Sequence, residues 1–178
     1  VTINNAGGLI STGGAYAPGY LMQSIGGGGG LVNIAQGSVP LGSISSSGEQ
    51  LGGAVDFFND SIVQTTGAGS AGVIAQSIGG GGGASTLVRS EAAGLLESLR
   101  LGAISSSNSS SGGSLSFSNT GRIMTSGDAS PGLVAQSIGG GGGSIQALGR
   151  VSIRRLRLGS KTATNASAGS LMLSPIQG

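Results

Sequence analysis

Three times the chain writes Gln-Ser-Ile followed by five glycines: Gln23-Ser24-Ile25 with Gly26 to Gly30, Gln76-Ser77-Ile78 with Gly79 to Gly83, and Gln136-Ser137-Ile138 with Gly139 to Gly143. Repetition this literal confines the fold to architectures in which equivalent segments take equivalent places. Each unit then buries against its neighbours the apolar face that it cannot bury alone.

Aligned on that motif without gaps, the copies share further columns. Ile10, Val63 and Ile123 come first, then Thr12, Thr65 and Thr125 two positions on, followed by Gly14, Gly67 and Gly127 and by Gly19, Gly72 and Gly132. Two apolar columns complete the run, Tyr20, Val73 and Leu133 beside Leu21, Ile74 and Val134. Upstream lie short alternating pieces that close on Asn: Val55-Asp56-Phe57-Phe58-Asn59, Leu115-Ser116-Phe117-Ser118-Asn119, and Val1-Thr2-Ile3-Asn4-Asn5 as their counterpart. Alternation ending in Asn predicts a strand running into a turn.

A Leu-Gly pair with a Ser-rich tract stands 37 positions before the motif Ile in two copies, Leu41 to Ile78 and Leu101 to Ile138. The motif itself recurs after 53 positions (Ser24 to Ser77) and then 60 (Ser77 to Ser137). The whole difference lies after the glycines, since Gly30 to Leu41 is 11 positions and Gly83 to Leu101 is 18. A stacked array tolerates such an insertion on one face while the core stays aligned. The variable piece from Ser90 to Leu99 carries a Ser cap signal and helix formers, so a short helix and a decorated strand or loop both remain open there. Its counterparts, Leu31 to Pro40 and Ser144 to Arg157, look extended. Near the end, Gly169-Ser170-Leu171-Met172-Leu173 echoes Gly113-Ser114-Leu115-Ser116-Phe117.

These readings predict an all-β fold, a repetitive parallel β-solenoid with Gly-rich corners. Residues 1–178 form one array and a fragment of a longer chain, with repeats at about 1–53, 54–113 and 114–169 and a further copy beginning at 170–178. At roughly 18 to 20 residues per coil, a repeat would make about three coils. The glycine runs would serve either a tight corner at positive φ or a close approach of two backbones.

Composition narrows the chemistry. With 39 Gly, no Cys and no His, the chain lacks thiolate and imidazole ligands and the commonest general base. Three Phe, two Tyr and no Trp offer no stacking platform for single strands, and a net charge of +2 does not mark a nucleic-acid binder. Five glycines contain GxGxxG trivially, but no acid follows at the right distance, and Gly159-Ser160-Lys161-Thr162 misses the phosphate-loop pattern by one residue. No Asp stands inside the glycine runs, unlike calcium-binding Gly-rich nonapeptides. Asp56, Asp60 and Glu49 are candidate carboxylates for glycan cleavage but occur in one copy and read as solvated charges. Thr12, Thr65 and Thr125 recur too sparsely for the flat ladder that ice binding needs. Arg150, Arg154, Arg155 and Arg157 with Lys161 could form a patch for an anionic ligand, set against the plainer reading of a solvated strand face. No catalysis and no cofactor are expected.

The stretch Gly72 to Gly83, Gly-Val-Ile-Ala-Gln-Ser-Ile followed by five glycines, preceded by Val63-Gln64-Thr65-Thr66-Gly67, resembles the Gly-rich repeats in passenger regions of Gram-negative autotransporters, the type V secreted proteins. The resemblance covers almost the whole chain. It implies a parallel β-solenoid passenger exported to the cell surface and followed by an outer-membrane β-barrel, which these residues do not include. Absence of Cys fits a passenger that crosses the outer membrane unfolded. The expected function is a structural stalk or adhesin segment on the cell surface. The alternative is a self-assembling extracellular filament or biofilm-matrix protein. Expected partners are neighbouring repeats of the same chain, further copies, or a host-surface or glycan ligand. No nucleic-acid partner is expected, and the outer membrane would be met only through the barrel.

Overall fold

The computed structural model describes residues 1–34, 37–41, 49–88, 96–101, 110–148, 156–158 and 166–173. Every regular element among them is a strand. The first repeat holds β1 (Thr2–Asn5), β2 (Leu9–Thr12), β3 (Tyr20–Ile25), β4 (Gly29–Ile34), β5 (Gly37–Leu41) and β6 (Gln50–Leu51). The second holds β7 (Val55–Asn59), β8 (Ile62–Thr65), β9 (Val73–Ile78), β10 (Gly82–Val88), β11 (Leu96–Leu101) and β12 (Ser110–Ser111). The third holds β13 (Leu115–Asn119), β14 (Arg122–Thr125), β15 (Leu133–Ile138), β16 (Gly142–Leu148) and β17 (Leu156–Leu158), after which comes β18 (Leu171–Leu173). The alternating sequence of β7 dictates its faces: Val55, Phe57 and Asn59 point inward and Phe58 outward, the period of two expected of a half-buried strand.

Among the described residues all pairings are parallel, and each sheet joins equivalent strands of successive repeats: β1-β7-β13-β18, β2-β8-β14, β3-β9-β15, β4-β10-β16, β5-β11-β17 and β6-β12. No described strand pairs with another of its own repeat. Parallel neighbours need a long crossover, and the remainder of the repeat supplies it.

This register overturns the expectation of three coils of 18 to 20 residues per repeat. Gln23 pairs with Gln76 and Gln76 with Gln136, so a strand meets its neighbour only once per repeat. The physical reason is like-on-like matching. Stacking equivalent strands sets Asn on Asn, Gln on Gln and glycine on glycine, whereas the pieces within one repeat differ in length and pattern.

The seven-residue insertion is placed just as locally. Leu87 pairs with Ile34 and Leu96 with Gly37, and the register then slips by one residue between Leu96 and Ser98. Six of the extra residues therefore lie between Leu87 and Leu96, and Glu97 is the seventh, a bulge in β11. Residues 96–99 of the candidate helix are strand, a correction imposed by pairing with β5; residues 90–95 lie outside the described set.

The core lies where β1, β7 and β13 face β3, β9 and β15. Met22, Val55, Phe57, Val73, Ala75, Leu115 and Phe117 are buried together, with Ile3, Tyr20, Ile123, Leu133 and Ala135 packed around them. Phe57 is its centre: its ring meets Tyr20 edge-on at 5.0 Å and stacks on Phe117 at 5.3 Å. Phe58, next in sequence but outward, is 47% exposed. Phe57→Ala is expected to cost about 3–5 kcal/mol in urea unfolding. Phe58→Ala should stay within about 0.5 kcal/mol. Equal costs would contradict the inward placement of Phe57.

Candidate functional site

The recurring motif occupies β3, β9 and β15 and the corners that follow. In the middle repeat all six residues of β9 are buried, because both faces of the strand are covered. Val73 and Ala75 join the Phe57 core, while Gln76 turns the other way and reaches Ser144 on β16. Ile78, between Ile25 and Ile138 in register, is fully buried.

Buried amides must find partners, and here they find one another. Gln23 Nε2 donates to Gln76 Oε1 at 2.8 Å, and Gln76 Nε2 donates to Gln136 Oε1 at 2.6 Å. A second amide ladder runs through the Asn that closes each first strand. Asn5 Nδ2 donates to Asn59 Oδ1, and Asn59 Nδ2 to Asn119 Oδ1, both at 2.6 Å. Asn59 Nδ2 also donates to the Ser61 carbonyl, and Asn119 Nδ2 donates to the Gly121 carbonyl, both in the turns. In sequence these Asn residues signal only a turn, and the ladder is an additional role.

The motif serine is a staple between strands far apart in sequence. Ser77 Oγ accepts from the Gly113 N–H at 2.7 Å and donates to the Gly53 carbonyl at 2.7 Å. Ser137 does the same with Gly169 and Gly113, at 2.7 and 2.8 Å. Ser24 accepts from Gly53 at 2.8 Å. Ser77 and Ser137 thus each tie their strand to the glycine ending their own repeat and to the one ending the repeat before, while Ser24 makes the first of these bonds.

The glycine runs serve both purposes that the sequence leaves open. Gly80 and Gly81 turn the chain with φ of +77° and +79°, and Gly140 and Gly141 repeat this at +75° and +80°. Beyond the corner the two backbones nearly touch, so a Cβ on Gly82, itself at φ +141°, would overlap the Gly142 carbonyl oxygen.

The threonine column also differs from its sequence reading. Thr12, Thr65 and Thr125 are direct neighbours on adjacent strands, because one repeat spans one strand spacing. They form no exposed ladder. Thr65 is fully buried, and its hydroxyl donates to the Ser70 carbonyl at 2.6 Å, as Thr12 donates to Ala17 at 2.7 Å.

The candidate carboxylates do not converge on a site. Asp56 lies on β7 within 3.5 Å of the Thr2 hydroxyl, Asp60 lies in the following turn and accepts from Thr120 Oγ1 at 3.2 Å, and Glu49 is exposed before β6. Among the described residues no group of three or more His, Cys, Asp or Glu is placed to hold a metal. Of the arginine patch, Arg157 lies in β17 opposite Arg100, while Arg150, Arg154, Arg155 and Lys161 lie outside the described residues. No described helix is long and apolar enough to cross a membrane.

No family model, curated protein or solved structure matches the chain. What the geometry offers is therefore read from the chain itself: the repeated polar side chains hold one repeat to the next.

Two comparisons test these roles. Ser77→Ala strands a buried donor and acceptor and is expected to cost about 2–4 kcal/mol, against about 1–2 kcal/mol for Ser24→Ala, which loses one bond. Gly82→Ala should cost about 3 kcal/mol or more from strain and overlap. Gly132→Ala has room, with the nearest atom 3.9 Å from the new Cβ, and should change stability by less than about 1 kcal/mol. Equal losses within either pair, read from chemical denaturation, would contradict the assignment.

Proposed function

We propose that the chain is a non-catalytic structural segment: a parallel β-solenoid in which each repeat is one coil, carried in the exported passenger of an autotransporter and held at the surface of a Gram-negative cell. The observation that carries this reading is the direction in which the motif spends its polar groups. Gln, Ser and Asn bond to their equivalents or to the glycines of adjoining repeats, so the motif recognises more of the same chain. The absence of Cys accords with passage across a membrane in an unfolded state. Neighbouring repeats are the principal partners. A host-surface or glycan contact would fall to the variable segments after the glycine runs, where length changes leave the stack undisturbed.

The geometry sets a scale for such a stalk. One repeat of 53 to 60 residues advances the array by a single strand spacing, about 4.8 Å. Projecting something by about 100 Å would then take roughly 20 repeats, on the order of 1,200 residues. Slow growth of this kind gives girth rather than reach and suits a wide, stiff support.

Surface exposure is tested on cells expressing the natural gene, by adding protease to intact bacteria and probing for this segment. Loss of the segment without lysis is expected. Protection until the cells are broken would contradict the reading, as would a glycan-cleaving activity that Asp56→Asn or Asp60→Asn abolishes.

A further inference from the structure

The repeated motif fixes register but does not tell one repeat from another. Gln, Asn and the glycine runs recur in all three copies, so the columns that pair the first repeat with the second would pair it equally with the third. A chain of near-copies needs an unlike contact to keep neighbours in order.

One turn supplies it. Between β2 and β3, and at the equivalent places in the next two repeats, Tyr16, Gly69 and Ala129 hold the same position with positive φ. These turns stack as the strands do: the Tyr16 N–H donates to the Ala68 carbonyl at 2.9 Å, and the Gly69 N–H to the Asp128 carbonyl at 2.8 Å. A serine keeps each pair of turns in contact. Ser70 Oγ accepts from the Ala17 N–H at 3.0 Å and donates to the Gly14 carbonyl at 2.8 Å. Ser130 Oγ repeats this with the Ser70 N–H and the Gly67 carbonyl, both at 3.0 Å. Because both interfaces share these bonds, they do not discriminate between repeats.

The side chains at the positive-φ position do. Left-handed backbone favours glycine, yet Tyr16 and Ala129 adopt it too, so conformation alone does not demand a glycine at 69. The Tyr16 ring does. A Cβ on Gly69 would stand 2.5 Å from Tyr16 Cε1 and 2.8 Å from Cδ1. Carbon atoms in ordinary contact keep about 3.5–4.0 Å, so the ring and a Cβ exclude one another while the serine holds the turns together.

We infer that Tyr16 and Gly69 form a selective contact that sets which repeat lies on the first. The partner that fits over a tyrosine-bearing turn is a repeat with glycine at this position, and the third repeat is refused because Ala129 brings a Cβ to the same place. The inference rests on the one-layer-per-repeat stack proposed above and on nothing about where the protein is displayed.

The test is refolding of the 178-residue chain from urea under oxidising conditions with Leu9→Cys and Arg122→Cys. Both residues are exposed and both are register partners of Ile62, so in the observed order they stand two strand spacings apart, about 9.6 Å and beyond disulfide reach. A first repeat lying on the third would bring them to about 4.8 Å and be trapped as a disulfide. Little crosslink is expected with Tyr16 and Ala129 in place. Several-fold more is expected after Ala129→Gly, which opens the same seat in the third repeat and suits positive φ. Equilibrium unfolding gives a second reading: Gly69→Ala should lower the folding constant about tenfold more beside Tyr16 than in a Tyr16→Ala background. A crosslink yield that ignores Ala129→Gly would overturn the inference, as would equal losses from Gly69→Ala in the two backgrounds. Leu9→Cys with Ile62→Cys is the control. If that disulfide forms, the stack stands and only the selectivity fails; if it does not, the stack itself has failed.

Discussion

Like-on-like pairing of parallel strands is the constraint on which the rest of this structure depends. A buried amide in a sheet is costly unless something answers both its N–H and its C=O, and a second amide at the same height on the next strand answers both. Once Gln76 sits between Gln23 and Gln136, and Asn59 between Asn5 and Asn119, a slip of one residue would break both ladders and turn Phe57 outward. Register is therefore fixed by polar groups as firmly as by the core. Glycine completes the arrangement, because the corners between the ladders bring backbones closer than any Cβ permits.

Much of this was legible in the sequence. The alternation of Val55 to Asn59 marked a strand and its faces, the glycine runs marked corners, and the difference between 53 and 60 located an insertion that the structure confines to the segment from 88 to 97. The coil length was not legible, because short strands do not announce which partner they will take. The threonines follow the same rule: 53 and 60 positions apart in sequence, they look too sparse for a ladder and yet are adjacent. Other features left no column at all. Tyr16, Gly69 and Ala129 occupy one turn position with φ of +56°, +67° and +51°, yet three unlike residues conceal a shared backbone need. The Ser77 staple joins residues 24 and 36 positions away, a contact that only the folded circuit creates.

A layer that costs more than fifty residues has consequences for use. Among the described residues the first two repeats hold six strands each, which gives a repeat a broad perimeter, and one segment of that perimeter changes length without moving the rest. β10 and β11 keep their pairing with β4 and β5 on either side of the added residues. On the function proposed above, the array would separate the two tasks of a surface support, stiffness in the stacked strands and variation in what they present.

The central claim, that one repeat is one layer, is tested most directly by a cysteine pair, because the chain has no cysteine of its own. Leu9 and Ile62 are register partners on β2 and β8, and both are exposed. With Leu9→Cys and Ile62→Cys in one molecule, the account places their Cα atoms about 4.8 Å apart and predicts an intramolecular disulfide that forms in the folded protein. Three layers per repeat would set them about 14 Å apart, and the persistence of free thiols under oxidising conditions would contradict the account.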